Sequence, residues 1–97
     1  MTGEQAPRPD FAFPAHVYFK EVDGQMVLLN LENEQYYGLD PVGTDIVKRL
    51  TAQPTEAALV DLIADYEVEP AVLRQDVADL VKKLVDAGLL ATQGAST

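Results

Sequence analysis

Cysteine is absent from the 97 residues, and histidine occurs once, as His16. Without cysteine the chain has no disulfide, no thiolate nucleophile and no cysteine-ligated zinc site, and one histidine cannot build a histidine-rich metal site. A Gly-rich phosphate loop and a strand-turn-helix elbow around a nucleophilic serine are also missing. We therefore expect a protein that is not an enzyme and that holds no metal and no cofactor.

Basic residues are scarce, since seven lysines and arginines stand against sixteen aspartates and glutamates, for a formal charge of −9. A net negative charge repels phosphate backbones over the Debye length of about 8 Å. No apolar run approaches the roughly 18 to 20 residues of a membrane span, and the start, MTGEQAPRPD, lacks the charged-then-apolar pattern of a secretion signal. The sequence predicts a cytoplasmic protein that binds neither nucleic acid nor membrane.

The length and a hydrophobic content of 47% suit one small globular domain. A domain of this size buries about 60 to 65% of its unfolded surface, so it has little core to spare for an enclosed active site. Residues 1–14 hold three prolines and few apolar side chains, and residues 92–97 are small and polar. We expect both of these segments to be flexible and residues 15–91 to form the domain.

Three strand-like runs come before any helical pattern. Residues 16–22 are rich in β-branched and aromatic side chains, and Asp23-Gly24 then predicts a tight turn into a second strand over residues 26–31. After the polar turn of residues 32–34, residues 35–39 predict a short third strand at the edge of the sheet.

Three amphipathic helices follow the strands. Asp40 is a good N-cap and Pro41 suits the first helical position, so a helix is predicted from there to about residue 51. A second helix follows Pro54, with Thr55 as its expected cap, and residues 70–87 predict a third that ends at Gly88. The predicted fold class is α+β, a winged-helix-like domain with a three-stranded antiparallel sheet followed by a three-helix bundle.

The order of strand, polar turn, YYGL, Asp-Pro-Val-Gly and amphipathic helix across residues 28–50 resembles the PqqD-like family of leader-peptide recognition domains. The resemblance extends from about His16 to Leu90. It implies a non-enzymatic protein that holds the leader of a ribosomally synthesised precursor peptide (RiPP) while other enzymes modify that precursor. A free-standing domain with this helix start is most similar to the leader-binding protein of split lasso-peptide systems, whose relatives work with a leader peptidase and a macrolactam cyclase.

In PqqD-like domains the leader adds antiparallel to the third strand and lies against the third helix. Carried over by position, the implied peptide-binding residues are Gln35, Tyr36, Tyr37, Gly38 and Leu39 on the strand and Arg74, Val77, Ala78, Val81 and Lys82 on the helix. Val27 and Leu29 are candidates for the pocket floor, and a plain core role fits them equally. The sequence leaves open which of the two tyrosines faces the groove.

Charge would add to this recognition. At the positions carried over, Arg74 and Lys82 would meet an acidic residue of the leader, which favours register and association rate more than affinity. The alternative is that both are ordinary charges of the helix surface. An unpaired edge strand also allows self-pairing, so the sequence is compatible with a monomer or a weak homodimer.

Other functions compete with this interpretation. A PqqD-type chaperone that presents its peptide to a radical enzyme would have the same skeleton. A winged-helix topology is also typical of regulators that bind DNA or protein, but the third helix mixes Arg74, Lys82 and Lys83 with three aspartates and has no continuous basic stripe.

Paired carboxylates are the remaining candidates for chemistry. Asp61/Asp65 and Asp76/Asp79 lie at helical spacing, which places each pair on one helix face. General acid and base catalysis needs carboxylates in different environments around a pocket, and no pocket signature accompanies either pair. We interpret both pairs as solvated helix surface.

Overall fold

The computed structural model describes residues 8–93. The elements in chain order are β1 Phe11–Ala12, β2 Val17–Val22, β3 Gln25–Asn30, β4 Tyr36–Leu39, α1 Pro41–Leu50, α2 Thr55–Tyr66, α3 Pro70–Asp86 and β5 Ala91–Thr92. Strands β2, β3 and β4 form an antiparallel sheet in that order, and β1 pairs with β5. The predicted α+β fold class, with three sheet strands before three helices, is confirmed.

The hairpin of β2 and β3 sets which side chains enter the core. Asp23 and Gly24 both have positive φ, 52° and 79°, which matches the twist of a two-residue hairpin turn. The register places Leu28 between Phe19 of β2 and Tyr37 of β4. Because strand side chains alternate, Met26, Leu28 and Asn30 point into the protein, while Val27 and Leu29 point out.

Helix α1 starts where β4 ends, and two side chains fix the junction. The Asp40 carboxylate accepts a hydrogen bond from the Gly43 N–H at 2.7 Å, as predicted for an N-cap followed by Pro41. The buried Thr44 hydroxyl accepts the Met26 N–H at 2.9 Å. Helix α1 is therefore tied to the sheet at the end of β4.

The end of α3 turns back onto the core. Gly88 has φ 72°, its N–H donates to the Val85 carbonyl, and the Leu89 N–H donates to the Leu84 carbonyl at 2.8 Å. These two bonds form a Schellman motif, the ending expected for a helix followed by glycine. Leu89 and Leu90 are buried behind it.

Asn30 joins this helix end to the sheet. The side chain is only 2% exposed, and its amide donates to the carbonyls of Ala87 and Gly88 at 3.1 and 3.2 Å. Its oxygen accepts the N–H groups of Glu32 and Asn33 at 2.8 and 3.3 Å. One buried amide thus satisfies backbone groups of both the turn before β4 and the end of α3.

The apolar core has two adjoining parts. The part under the sheet consists of Met26, Leu28, Leu39, Val47, Leu84, Leu89 and Leu90. The part between the helices consists of Ile46, Leu50, Ala58, Leu59, Leu62, Leu73 and Val77. Helices α1 and α3 each contribute to both parts, so these two helices join the sheet to the rest of the core.

The first described residues differ from the flexible segment expected for residues 1–14. Phe11 pairs with Thr92 in the small second sheet and packs against both parts of the core. This apolar contact holds the segment in place despite its prolines.

The Asp10 carboxylate accepts the Thr55 N–H at 3.0 Å, and this bond holds the pKa of Asp10 below its ordinary value. Asp10, rather than Thr55, therefore caps α2. The other expected flexible residues, 1–7 and 94–97, lie outside the described residues, and the predicted boundaries of the domain stay a prediction.

Replacing Gly88 should cost far more stability than replacing Gly24, although both have positive φ. An added Cβ at Gly24 meets nothing within 4 Å, so Gly24→Ala should lose about 1 to 2 kcal/mol from the left-handed conformation alone. At Gly88 the Cβ would lie 2.5 Å from the Asn30 side-chain nitrogen and displace that amide. Gly88→Ala should therefore lose about 3 kcal/mol or more in urea unfolding. Equal losses in the two variants would contradict the role assigned to Asn30.

Candidate functional site

Strand β4 has a free edge within the part of the chain that the structure describes. Its partner is β3 alone, and the Asn30 N–H donates to the Gln35 carbonyl at 2.8 Å. Hydrogen-bonded pairs alternate along an antiparallel ladder, so the backbone groups of Tyr37 also point toward β3. Those of Tyr36 and Gly38 point the other way. The edge thus offers two N–H and two C=O groups at the spacing that an added strand requires.

A groove of about 520 Å³ runs beside this edge. Its lining comes from β4, the start of α1, the α2–α3 connection and one row of α3. The residues are Tyr37, Gly38, Leu39, Asp40, Val42, Gly43, Ile46, Tyr66, Val68, Val72, Leu73, Asp76 and Leu80. Most of these side chains are apolar, so the groove can accept apolar side chains of a bound segment.

Helix α3 contributes one row of side chains to the groove. Val72, Asp76 and Leu80 follow each other at intervals of four residues, which places them on one face of the helix. The opposite wall is the half-buried Tyr37 and the start of α1. Gly38 lies between the free edge and the groove, and a Cβ there would meet nothing within 4 Å, so a backbone can approach closely.

A polar network anchors the wall of the groove at Tyr66. The Tyr66 hydroxyl donates to Asp45 at 2.7 Å, and Arg49 donates to the other oxygen of Asp45 at 2.7 Å and forms an ion pair with Asp65 at 2.6 Å. Burial works to raise the pKa of Asp45, but the hydrogen bonds from Arg49 and Tyr66 together outweigh it and lower this pKa. The hydrogen bond to Asp45 also raises the pKa of Tyr66. The tyrosine ring is therefore fixed to α1.

The helix residues predicted for the site lie on the other side of α3. Arg74, Val77, Ala78, Val81 and Lys82 line a separate cavity of about 590 Å³ whose other lining residues are Phe11, Thr55, Glu56, Leu59, Val85, Asp86 and Thr92. None of the five lines the groove beside β4. The structure therefore does not bring them together with the strand edge.

The resemblance assigns these five residues by their position along the chain, and position alone does not give the rotation of α3 about its axis. Part of their apolar surface is packed inside the protein, since Val77 is buried in the core between the helices and Phe11 lines the same cavity. The two cations are paired there as well. Arg74 contacts Glu56 at 3.0 Å, and Lys82 contacts Asp86 at 3.0 Å.

Val27 and Leu29 are not on the floor of the groove. They face outward from the sheet together with Tyr18, Lys20 and Val22, and these residues border a third cavity, of about 520 Å³. Tyr36 shares this outer face and is 74% exposed, whereas Tyr37 points toward the core and the groove. The structure thus answers the question that the sequence left open for the two tyrosines. Gln35 is exposed at the start of β4.

Sequence reasoning missed several groove residues: Val42, Ile46, Tyr66, Val68, Val72, Asp76 and Leu80. The four-residue spacing of Val72, Asp76 and Leu80 indicates a common helix face, but from the sequence alone we interpret Asp76 as solvated helix surface. The contribution of Tyr66 and Val68 depends on where the α2–α3 connection passes, which no local pattern specifies.

Two further findings concern the described residues only. Among residues 8–93 no group of three or more histidines, aspartates and glutamates could hold a metal ion. None of the helices in this range combines the length and the apolar character that crossing a membrane requires.

Comparison with known proteins gives a consistent result. The family model described as coenzyme PQQ synthesis protein D (PqqD) matches residues 25–90. One similar solved structure is TbiB1 in complex with the TbiA(β) leader peptide, with 27% identity, a TM-score of 0.75, and coverage of 88% of this chain and 98% of that one. Another is a lasso peptide synthetase B1 complexed with the leader peptide, with 26% identity, a TM-score of 0.70, and coverage of 84% and 98%. No curated protein gives a significant match.

Neutralising Asp45 should remove an acid-sensitive part of the stability. A carboxylate whose pKa is lower in the folded state stabilises above its unfolded pKa, and this contribution is lost as the pH falls through the folded pKa. Asp45→Asn should therefore lower the urea midpoint at pH 7, and its difference from the wild type should shrink as the pH falls below about 4. Asp79→Asn, at an exposed carboxylate of α3, is the matched control. A difference that is constant from pH 7 to pH 3 would contradict the network.

Proposed function

Since this chain belongs to the PqqD family, we propose that it binds the leader of a ribosomally synthesised precursor peptide as an additional strand on β4. The observation that supports this proposal most directly is the free edge of β4 at Tyr36 and Gly38. An apolar groove lies directly beside this edge, between β4 and α3. The two similar complexes, both of lasso-peptide B1 proteins with leader peptides, support this proposal. They also support lasso-peptide biosynthesis as its setting.

Strand addition divides recognition between backbone and side chains. Hydrogen bonds to Tyr36 and Gly38 supply affinity that does not depend on the sequence of the leader. Every second side chain of the added strand then points toward the groove, because strand side chains alternate. The groove residues Tyr37, Val72 and Leu80 would select apolar side chains at those positions.

We propose a role as a non-catalytic adaptor. Capture of the leader holds the core of the precursor near a leader peptidase and a macrolactam cyclase, which raises its effective concentration at both enzymes without any covalent step. A radical enzyme in place of that pair would use the same edge. We propose that this takes place in the cytoplasm. Because a second copy of the chain would pair through the same edge, leader binding should compete with any weak homodimer.

An NMR titration with a synthetic TbiA(β) leader peptide, and with peptides enriched from a displayed library of random 15-residue sequences, tests the site. We expect shifts at residues 36–39 and at Val72, Asp76 and Leu80. Amide exchange should slow at Tyr36 and Gly38, whose N–H groups gain acceptors. Duplex DNA should give none of these changes. Failure to enrich any peptide, or shifts confined to the cavity around Arg74, would reject the proposed site.

Removing the outward N–H of Gly38 should weaken binding without unfolding the protein. Gly38→Pro deletes a donor on the free edge, where proline is tolerated in a sheet. The loss of one backbone hydrogen bond should weaken binding about fivefold to tenfold. Tyr37→Pro is the comparison: it deletes a donor that points toward β3 and removes a groove side chain, so it should lower the thermal midpoint as well as weaken binding. If Gly38→Pro binds the enriched peptides as tightly as the wild type, the edge is not the binding surface.

A further inference from the structure

Asp76 is a charged residue inside an otherwise apolar row. It lies between Val72 and Leu80 on the groove side of α3, opposite Tyr37 and Leu39. No hydrogen bond or ion pair joins its carboxylate to any other residue in the range 8–93. Its helix neighbours use their partners elsewhere, since Arg74 pairs with Glu56 and Gln75 donates to Asp79. The side chain is therefore available to a bound segment.

The charge of the groove has one sign. The ionisable carboxylates in its lining are Asp40 and Asp76, and no lysine or arginine belongs to the lining. Asp40 uses one oxygen to cap α1 through the Gly43 N–H, and its second oxygen accepts no hydrogen bond from residues 8–93. Arg74 and Lys82, the two cations that the sequence predicted for the site, line the separate cavity across α3.

A bound segment would cover Asp76 and remove water from it. An ionised carboxylate can only accept hydrogen bonds, so the loss of water is compensated only if the segment brings donors. The strongest donors are the ammonium of lysine and the guanidinium of arginine. An acidic side chain at the same place would add like-charge repulsion to an already negative protein.

We propose that Asp76, assisted by Asp40, selects peptides with a lysine or arginine at the position that faces the middle of α3. This inference rests on the proposed strand addition and specifies the class of peptide that it accepts: apolar residues that alternate toward the groove, with one basic side chain among them. The sequence predicted the opposite charges, with Arg74 and Lys82 of this protein meeting an acidic residue of the leader.

The test is a parallel selection from the random 15-residue library against four proteins, the wild type and three variants. The wild type should enrich lysine or arginine at one position of the consensus, and Asp76→Lys should enrich aspartate or glutamate there. Asp79→Lys changes the net charge by the same amount at a residue outside the groove lining, and it should give the wild-type consensus. Asp76→Asn is a second variant that keeps the side-chain shape, and it should enrich neither charge.

Binding constants then measure the effect. Three peptides that differ only in lysine, glutamine or glutamate at the selected position should bind the wild type in that order. The lysine peptide should bind about fivefold to tenfold more tightly than the glutamate peptide, and added salt should reduce the difference. The order should be lost in Asp76→Asn and reversed in Asp76→Lys.

Two failures can be told apart. Peptides that slow exchange at Tyr36 and Gly38 but show no charge preference, or the same preference in Asp76→Asn, would overturn this inference and leave the proposed function standing. Enriched peptides that leave those two amides unprotected would overturn both. A preference that changes equally in Asp76→Lys and Asp79→Lys would assign the effect to net charge and overturn the role of Asp76.

Discussion

The position of β4 relative to α3 depends on the buried amide of Asn30. Its four hydrogen bonds reach the turn that precedes β4 and the carbonyls that end α3, so the two elements are held by one side chain of fixed geometry. The Schellman ending at Gly88 brings those carbonyls within reach, and Thr44 joins α1 to the start of β3 and the end of β4. The groove is the space that these three connections leave open.

Three sides of helix α3 contact three different parts of the protein. One side packs Leu73, Val77 and Leu84 into the core, and a neighbouring row borders the groove with Val72, Asp76 and Leu80. A third strip, with its cations paired to Glu56 and Asp86, meets the first strand of the described chain. Most of the circumference of α3 thus contacts the core or borders a cavity, as expected for a helix in a small domain. The apolar character of a strip therefore does not show by itself which strip would face a ligand.

Local patterns predicted most of the fold because its signals are local. Asp23-Gly24 predicted the hairpin, Asp40-Pro41 the start of α1, and Gly88 the end of α3. The YYGL run was placed correctly at the sheet edge. The strand at Phe11–Ala12 was missed because its partner is about eighty residues away, and a two-residue strand has no period to detect.

The helix side of the site could not be predicted from the same patterns. Choosing between the rows at Asp76 and at Arg74 requires the rotation of α3 about its axis, which depends on how Leu73, Val77 and Leu84 pack into the core. The positions carried over from the resemblance fall on the strip of Arg74, where Val77 is already packed inside the protein.

The pairing of β1 with β5 brings the two ends of the described chain together, with the Gln93 N–H 2.7 Å from the Asp10 carbonyl oxygen. Phe11 and Thr92 border the cavity across α3 and not the groove. Any extension of the chain from this pair of strands would start beside that cavity, which shares no lining residue with the groove. Such an extension would leave the exposed edge of β4 uncovered at its point of attachment.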